Sequence, residues 1–259
     1  MENQGVAAKA GNLAIRLWSI VTQKGLVYFI VSSATLAFDA VTWYPYYLLF
    51  KKRKFGLDGK EYGYLYRLYN TTWKNEREVE LSIILELVEK NRGKKILEVG
   101  NVLSHYVTIS HDVIDKYELG EGIVNEDAAT YAPGAEYDLI VSISTLEHVG
   151  WDEEPKAPEK VALAIGNLKK ALAPGGMLAA TVPLGHNAEL DRIIGEGKTF
   201  DKALFMKRVS QDNQWAQATW EEVKGAKYGE PFFGANAIAL LVAKKESSDF
   251  SGVPKGRTA

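Results

Sequence analysis

The chain has 259 residues, of which 46% are hydrophobic and 25% charged, and its formal net charge is -2. This composition suits a folded domain with a sizeable core, and it excludes intrinsic disorder and a general electrostatic attraction to nucleic acid. The absence of cysteine excludes disulfides, thiolate zinc sites and cysteine nucleophiles, and it fits a reducing compartment, so we expect a cytoplasmic protein.

The N-terminal segment, residues 1–75, is predicted to be a hydrophobic helical extension with a linker. Its apolar run, residues 26–50, leads directly into the basic run 51–54. That pattern favours helices lying on the inner face of a membrane, because basic flanks and interfacial aromatic residues suit that mode. A membrane span is an alternative, which Asp39 and Pro45 disfavour. A hydrophobic arm packed on protein is the third interpretation. Further basic and aromatic residues precede the run: Lys9, Arg16, Trp18 and Lys24.

The segment 76–247 alternates between helical and strand patterns, and residues 248–259 are predicted to form a flexible tail. Apolar residues recur at helical spacing over residues 76–90 and 158–172. Short β-branched or apolar runs predict strands over residues 95–99, 113–117, 122–125, 138–144, 177–182 and 237–243. This alternation predicts a doubly wound α/β domain with a mostly parallel sheet, whose ligand binds at the carboxyl ends of the strands.

Three stretches of this domain carry a family resemblance: LEVG at residues 97–100, YDLIVS followed by LEHV at 137–149, and LKKALAPGGMLAATV at 168–182. In this order and spacing they resemble the class I S-adenosylmethionine-dependent methyltransferases, in particular the small-molecule branch with the ubiquinone-biosynthesis O-methyltransferases. The resemblance implies a Rossmann-like sheet of about seven strands with the last strand antiparallel. It also implies S-adenosylmethionine as the cofactor.

The resemblance implies a set of cofactor-binding residues: Glu98, Gly100, Asn101, Ser104, Asp115, Glu126, Asp127, Ser144 and Thr145. In this assignment Asp115 accepts hydrogen bonds from the ribose hydroxyls, and Asp127 or Glu126 accepts one from the adenine amine. Ser144 and Thr145 line the methionine part. The structural alternatives are a strand-end turn residue for Asp115 and a helix N-cap for Asp127.

The chain departs from the family in the glycine-rich loop, where Val102 and Ser104 stand at the second and third glycine positions. Valine does not readily adopt a positive φ, so either the turn runs differently or the cofactor sits elsewhere. Asn101 and Ser104 offer polar contacts that glycine cannot. A helix is expected after Gly100, with its N-terminus directed at the ligand. The missing glycines also disfavour a dinucleotide-binding dehydrogenase.

Histidines are the candidate general bases for removing a proton from the acceptor. His148 follows the fourth strand of the motif and His186 follows the fifth, so both are expected on the ligand side of the sheet. Capping or orienting the LEHV turn is the alternative role for His148. His105 is a candidate cofactor contact, whereas His111 is expected to be a surface or turn residue.

A divalent metal ion is not predicted. Some methyltransferases with a Glu-x-x-Glu-His motif bind one, but here Ser144 occupies the first glutamate position beside Glu147, His148 and His186. The sequence therefore predicts a methyltransferase acting by in-line transfer on a small molecule, with lipid-linked and glycan acceptors as the favoured classes. A membrane-associated, non-catalytic binding or scaffold protein with a degenerate methyltransferase fold is the alternative. Nucleic acid is not an expected partner, and the sequence does not specify an oligomeric state.

Overall fold

The structure, a computed structural model, describes residues 26–132 and 134–247. The predicted tail at 248–259 and the upstream residues Lys9, Arg16, Trp18 and Lys24 lie outside the described residues. The chain divides into two compact units, the first ending at Lys51 and the second starting at Lys52.

The described part of the first unit is helix α1, Leu26–Phe50. Much of its surface is apolar and exposed: Phe38 is 65% exposed, and Val41 and Leu49 are each 75% exposed. Asp39, the carboxylate within the run, is 4% exposed. Across the described residues, no helix combines the length and the apolar character needed to cross a membrane.

The second unit begins with a hairpin of β1, Lys54–Leu57, and β2, Lys60–Gly63, in a region where the sequence predicts only a linker. Asp58 and Gly59 form its tight turn with φ of 55° and 74°. Only Phe55 and Leu57 are buried in β1, so the strand offers just two alternating apolar positions for prediction.

An eight-stranded sheet forms the centre of the second unit, in the order β5-β4-β3-β6-β7-β10-β8-β9. Its strands are β3, Ile96–Val99; β4, Asp112–Ile114; β5, Ile123–Val124; β6, Tyr137–Ile143; β7, Leu172–Pro183; β8, Lys202–Arg208; β9, Trp215–Ala218; and β10, Ala237–Lys244. The accompanying α-helices are α2, Arg77–Lys90; α3, Lys160–Lys170; α4, Ala188–Gly195; and α5, Trp220–Val223. Strands β3 to β7 pair in parallel, and β10 runs antiparallel to β7 and β8.

The predicted fold class is therefore confirmed, including the antiparallel last strand. The sheet has eight strands because β8 and β9 form between the runs 177–182 and 237–243, where no strand is predicted from the sequence. The prediction of a helix after Gly100 is wrong. Only a 3-10 turn, Leu103–His105, stands there, because β4 starts at Asp112 and leaves too little chain for a full crossover helix.

Glu78 of α2 is buried, 1% exposed, and its Oε2 lacks a hydrogen-bond partner among the residues described. Burial raises its pKa to about 9, although Arg208 and Arg53 partly offset this. Between pH 4.5, the ordinary pKa of a glutamate, and about pH 9, Glu78 is protonated in the folded state and ionised in the unfolded chain. The contribution of Glu78 to the free energy of unfolding therefore falls as the pH rises through that window.

We expect Glu78→Gln to stabilise the protein at pH ~8 by about 1–3 kcal/mol, because glutamine has nearly the same shape and no ionisation to suppress. The gain should nearly vanish at pH ~4, where Glu78 is protonated in both states. Urea unfolding of both proteins at the two pH values measures the difference. A gain of equal size at both would contradict the assigned protonation.

Candidate functional site

A cavity of about 350 Å³ lies at the carboxyl ends of the parallel strands. The strand order reverses there, because the chain proceeds from β3 to β4 and β5 on one side and from β6 to β7 on the other. Doubly wound sheets bind their ligands at this position. The cavity is lined by Val99, Gly100, Ile114, Asp115, Lys116, Tyr117, Glu126, Asp127, Ala128, Thr145, His148, Val149, Asp152 and Glu153.

Gly100 ends β3 at the floor of the cavity with φ of 86°. A Cβ atom at this position would lie 2.2 Å from Thr145 Oγ1, so the two loops meet here without room for a side chain. Val102, at a position where the resembled family has glycine, adopts φ of -102°. The turn therefore runs differently and needs a left-handed residue only at Gly100.

Glu98 explains how the turn is held without further glycines. Its carboxylate is fully buried, and Oε1 accepts hydrogen bonds from the backbone N–H groups of Val102 at 2.9 Å and Leu103 at 2.7 Å. Its Oε2 lies 2.9 Å from His111 Nε2. Glu98 thus supports the loop from below and does not line the cavity. His111, predicted to be a surface or turn residue, is a buried partner of this carboxylate, with a 7% exposed side chain.

Asp115 lines the cavity just after β4, and its carboxylate is already engaged by backbone. Oδ2 accepts a hydrogen bond from the N–H of Asn101 at 3.0 Å. Oδ1 accepts from the N–H groups of Tyr117 at 2.8 Å and Glu118 at 2.7 Å. Because a carboxylate has roughly four acceptor positions, about one remains for a ribose hydroxyl. Asp115 therefore ties the loop after β3 to the loop after β4 and keeps limited capacity for a ligand.

Asn101 is buried beside Gly100, where its Nδ2 donates to Glu118 Oε1 at 2.8 Å. Its Oδ1 finds no hydrogen-bond partner within the described part of the chain. Buried acceptors are normally paired, so this atom suits a donor supplied by a ligand. Ser104 and His105 are different: both are exposed and neither lines the cavity, and His105 stacks on Tyr69 with ring centroids 4.9 Å apart.

Asp127, the expected adenine contact, belongs to a four-charge network at the cavity wall. Lys116 Nζ lies 2.9 Å from Asp127 Oδ2 and 2.7 Å from Glu153 Oε1, while Lys160 Nζ lies 2.5 Å from Glu153 Oε2. Burial opposes ionisation of Asp127, but the hydrogen bond from Lys116 lowers its pKa. Its Oδ1 also accepts from the N–H of Ala129 at 2.9 Å. Glu126 is exposed and lines the cavity, and among the described residues its carboxylate has no lysine partner.

Ser144 and Thr145 follow β6 but face different surroundings. Thr145 lines the cavity and its hydroxyl donates to the carbonyl of Ile143 at 3.1 Å. Ser144, with φ of 38°, donates to Glu80 Oε1 at 2.7 Å, away from the cavity lining. Glu80 is fully buried and its Oε2 accepts from Arg77 at 3.0 Å. A buried ion pair on α2 thus holds the left-handed residue that places Thr145 against Gly100.

His148 and His186 come together where His148 lines the cavity, with Asp152 between them. His148 Nδ1 lies 2.5 Å from Asp152 Oδ2, and His186 Nε2 lies 3.3 Å from the same oxygen. The two imidazole rings meet edge to face, with centroids 4.9 Å apart. Although partial burial opposes it, the hydrogen bond with His148 lowers the pKa of Asp152. His148 lines the cavity, whereas His186 stands beside it on the loop after β7.

Glu147 lies below this cluster and is 1% exposed. Burial raises the pKa of its carboxyl well above the ordinary value. Its Oε1 is 3.5 Å from His148 Nε2, and its Oε2 is without a partner among the described residues. His148 therefore lies between two carboxyl groups, one exposed and ionised and one buried.

Sequence reasoning missed Asp152, Lys116, Glu153 and Glu80 as parts of the site. Asp152 stands four residues after His148, which is the spacing that brings two side chains together on a helical turn, so that signal was present. Lys116, next to Asp115, offers no comparable signal, because its partners come from loops distant in sequence.

The solved structures similar to this chain include S-adenosylmethionine-dependent methyltransferases. NodS, an N-methyltransferase from Bradyrhizobium japonicum WM9 crystallised with S-adenosyl-L-homocysteine, is 16% identical, with 66% of this chain and 87% of that chain covered and a TM-score of 0.43. A methyltransferase from Archaeoglobus fulgidus is 15% identical, with 69% and 98% covered and a TM-score of 0.42. No protein-family model and no curated protein sequence matches the chain.

Proposed function

We propose that this protein is an S-adenosylmethionine-dependent methyltransferase acting on a small molecule with a hydroxyl or amine group. The observation that carries the proposal is the cavity at the strand-order reversal, with Gly100 at its floor and a histidine at its acceptor side. Asn101 Oδ1, which has no hydrogen-bond partner among the described residues, fits a ligand that brings a polar donor close to the backbone beside Gly100.

The residues that would hold the cofactor are Gly100, Asn101, Asp115, Asp127 and Thr145. When bound, S-adenosylmethionine supplies a methyl group on a positively charged sulfonium, which an in-line displacement transfers. The carboxylates along the cavity suit a cofactor that carries positive charge. The protein's own task is to align the acceptor and to take up its proton.

His148 is the proposed base, because it lines the cavity and its Nδ1 is held by Asp152. Asp152 fixes the orientation of the His148 ring, as a carboxylate does for other histidine bases. His186, whose Nε2 contacts the same Asp152 oxygen, is the second candidate for the base. Lipid-linked and glycan acceptors are the proposed classes, and the exposed apolar helix of the first unit supports the lipid-linked one.

Isothermal titration with S-adenosylhomocysteine tests cofactor binding, and we expect saturable one-to-one binding. His148→Gln should bind it within about threefold of wild type, because its side chain acts on the acceptor. A screen of lipid-linked and glycan compounds with free hydroxyl or amine groups supplies the acceptor, and His148→Gln should lower the rate of methyl transfer to it by about 10²–10⁴-fold. His105→Gln is the matched control, and its transfer rate should stay near wild type.

Absence of binding at millimolar S-adenosylhomocysteine would contradict the proposal that the protein is an enzyme. That result would favour a non-catalytic binding protein, an alternative supported by the engagement of Asp115 with three backbone N–H groups and of Asp127 with Lys116. Binding without any effect of His148→Gln on transfer would remove the base assignment alone.

We also propose that α1 rests on the surface of an anionic membrane. Its exposed residues include Val31, Phe38, Val41, Leu48 and Leu49, and the basic run 51–54 follows its end. Apolar side chains enter the headgroup boundary while lysines contact anionic lipids, which is how interfacial helices bind.

Flotation with vesicles containing an anionic phospholipid tests this membrane proposal. Phe38→Glu combined with Val41→Glu should weaken vesicle binding by about tenfold or more, because both side chains lose burial in the interface. The control combines Leu163→Glu with Val209→Glu, which replaces two exposed apolar residues of the second unit. If both double variants float alike, α1 is not the membrane contact.

A further inference from the structure

Three side chains at the acceptor side of the cavity converge closely enough to share one ion. One ligand atom from each of His148, Asp152 and His186 lies within 4.8 Å of the other two. In a tetrahedral site with metal–ligand distances of about 2.0–2.2 Å, ligand atoms stand roughly 3.3–3.5 Å apart. Small side-chain rotations would close the difference, since His148 and Asp152 are each about half exposed.

The donor set is selective for metal type. Two imidazoles and one carboxylate suit zinc and neighbouring transition metals, whereas Mg²⁺ and Ca²⁺ prefer sites built from oxygen ligands. With three protein ligands, a fourth position remains open, as in catalytic zinc sites.

The buried Asn187 side chain holds the two histidine-bearing loops together. Asn187, next to His186, donates from Nδ2 to the carbonyl of Glu147 at 2.9 Å and is 1% exposed. Its Oδ1 accepts from the N–H groups of Glu189 and Leu190, which caps α4. His186 and His148 are therefore brought together by a buried contact of the fold and not only by their own side chains.

The position of Glu147 beside His148 is an independent observation in favour of a bound ion. Histidine ligands of metals almost always use their second ring nitrogen to contact a carboxylate, carbonyl or water. While Nδ1 of His148 faces Asp152, its Nε2 is 3.5 Å from Oε1 of the buried Glu147, whose Oε2 is unpartnered within the described residues. A carboxyl group at this position is what an outer-shell partner of a metal-bound His148 requires.

We propose that His148, Asp152 and His186 form a binding site for one divalent transition-metal ion of the zinc class, with Glu147 as the positioning residue for His148. Binding of the ion does not depend on the proposed function. The effect of the ion on catalysis does rest on the proposed function. An ion coordinated by His148 occupies the lone pair that a base needs, so His148 cannot bind zinc and deprotonate the acceptor at the same time.

The test uses the full-length protein, stripped with a chelator and titrated with Co²⁺ by visible absorption and with Zn²⁺ by calorimetry. We expect one ion per chain and the intense visible bands of a four-coordinate Co²⁺ site. Asp152→Asn and His186→Gln should each weaken binding by about tenfold or more, and Glu147→Gln by about tenfold. His105→Gln, which removes a histidine elsewhere, should bind as wild type does. Circular dichroism confirms that each variant is folded.

Absence of saturable binding, or equal affinity in wild type and in both folded variants Asp152→Asn and His186→Gln, would overturn the site. Titration of the same samples with S-adenosylhomocysteine separates this result from the proposed function. Metal binding without cofactor binding leaves the ion site standing and removes the enzyme, whereas the reverse removes the ion site alone.

Discussion

Gly100→Ala should destabilise the second unit by about 2–4 kcal/mol and weaken S-adenosylhomocysteine binding at least tenfold. Two costs combine. Alanine at φ of 86° is strained by about 1 kcal/mol, and its Cβ would lie 2.2 Å from Thr145 Oγ1, an overpacking cost of about 1–3 kcal/mol. The clash also separates the loops after β3 and β6, which together form the cavity floor.

Gly93→Ala is the matched control for the strain part. Gly93 has φ of 83°, but a Cβ there meets nothing within 4 Å. We expect a loss of about 1 kcal/mol and unchanged cofactor binding. In a double-mutant cycle, Thr145→Gly should recover the clash part of the Gly100→Ala effect. Equal losses in urea unfolding for Gly93→Ala and Gly100→Ala would contradict the close approach of the two loops.

Arg77→Met should cost about 3–5 kcal/mol of stability, because it leaves Glu80 as an uncompensated charge in the core. Glu80 is fully buried, and burial already raises the pKa of its carboxyl. Part of the loss should appear as weaker S-adenosylhomocysteine binding, since Glu80 holds Ser144 in its left-handed conformation next to Thr145.

The compensating variant distinguishes the buried charge from lost packing. Arg77→Met combined with Glu80→Gln should recover more than half of the loss, because glutamine is neutral and still accepts from Ser144. Arg92→Met is the control: its pair with Glu89 has the same spacing but is exposed, so we expect less than about 0.5 kcal/mol. Chemical denaturation of the four proteins measures these values. A double variant no more stable than Arg77→Met would rule out the buried charge as the cause.

The strands differ in how well the local sequence pattern predicts them. The runs that became β3, β6, β7 and β10 are short, apolar and bounded by polar or turn residues, so they could be recognised in the sequence and placed in one parallel sheet. The hairpin of β1 and β2 and the strands β8 and β9 were not recognised. In them burial comes from partners distant in the chain, such as the pairing of Phe205 with Ala239 of β10.

The conformation of the loop after β3 could not be predicted from the local sequence pattern. Sequence reasoning could see that Val102 and Ser104 replace glycines, but it could not see that Glu98 turns beneath the loop to accept two backbone N–H groups. It also assigned Asp115 and Asp127 to ligand contacts, whereas the structure shows their carboxylates engaged with backbone and lysines. Whether they also bind the cofactor stays a prediction.

By itself, the sequence determined the α/β alternation, the glycine at the end of β3 and the two loops that carry His148 and His186, because periodicity and turn chemistry are local. Only the tertiary structure decided that Asp152 joins those histidines, that Glu147 lies buried beneath them and that Arg77 and Glu80 support the neighbouring turn. These decisions depend on burial and on contacts between residues far apart in the chain, and neither quantity is written in a local pattern.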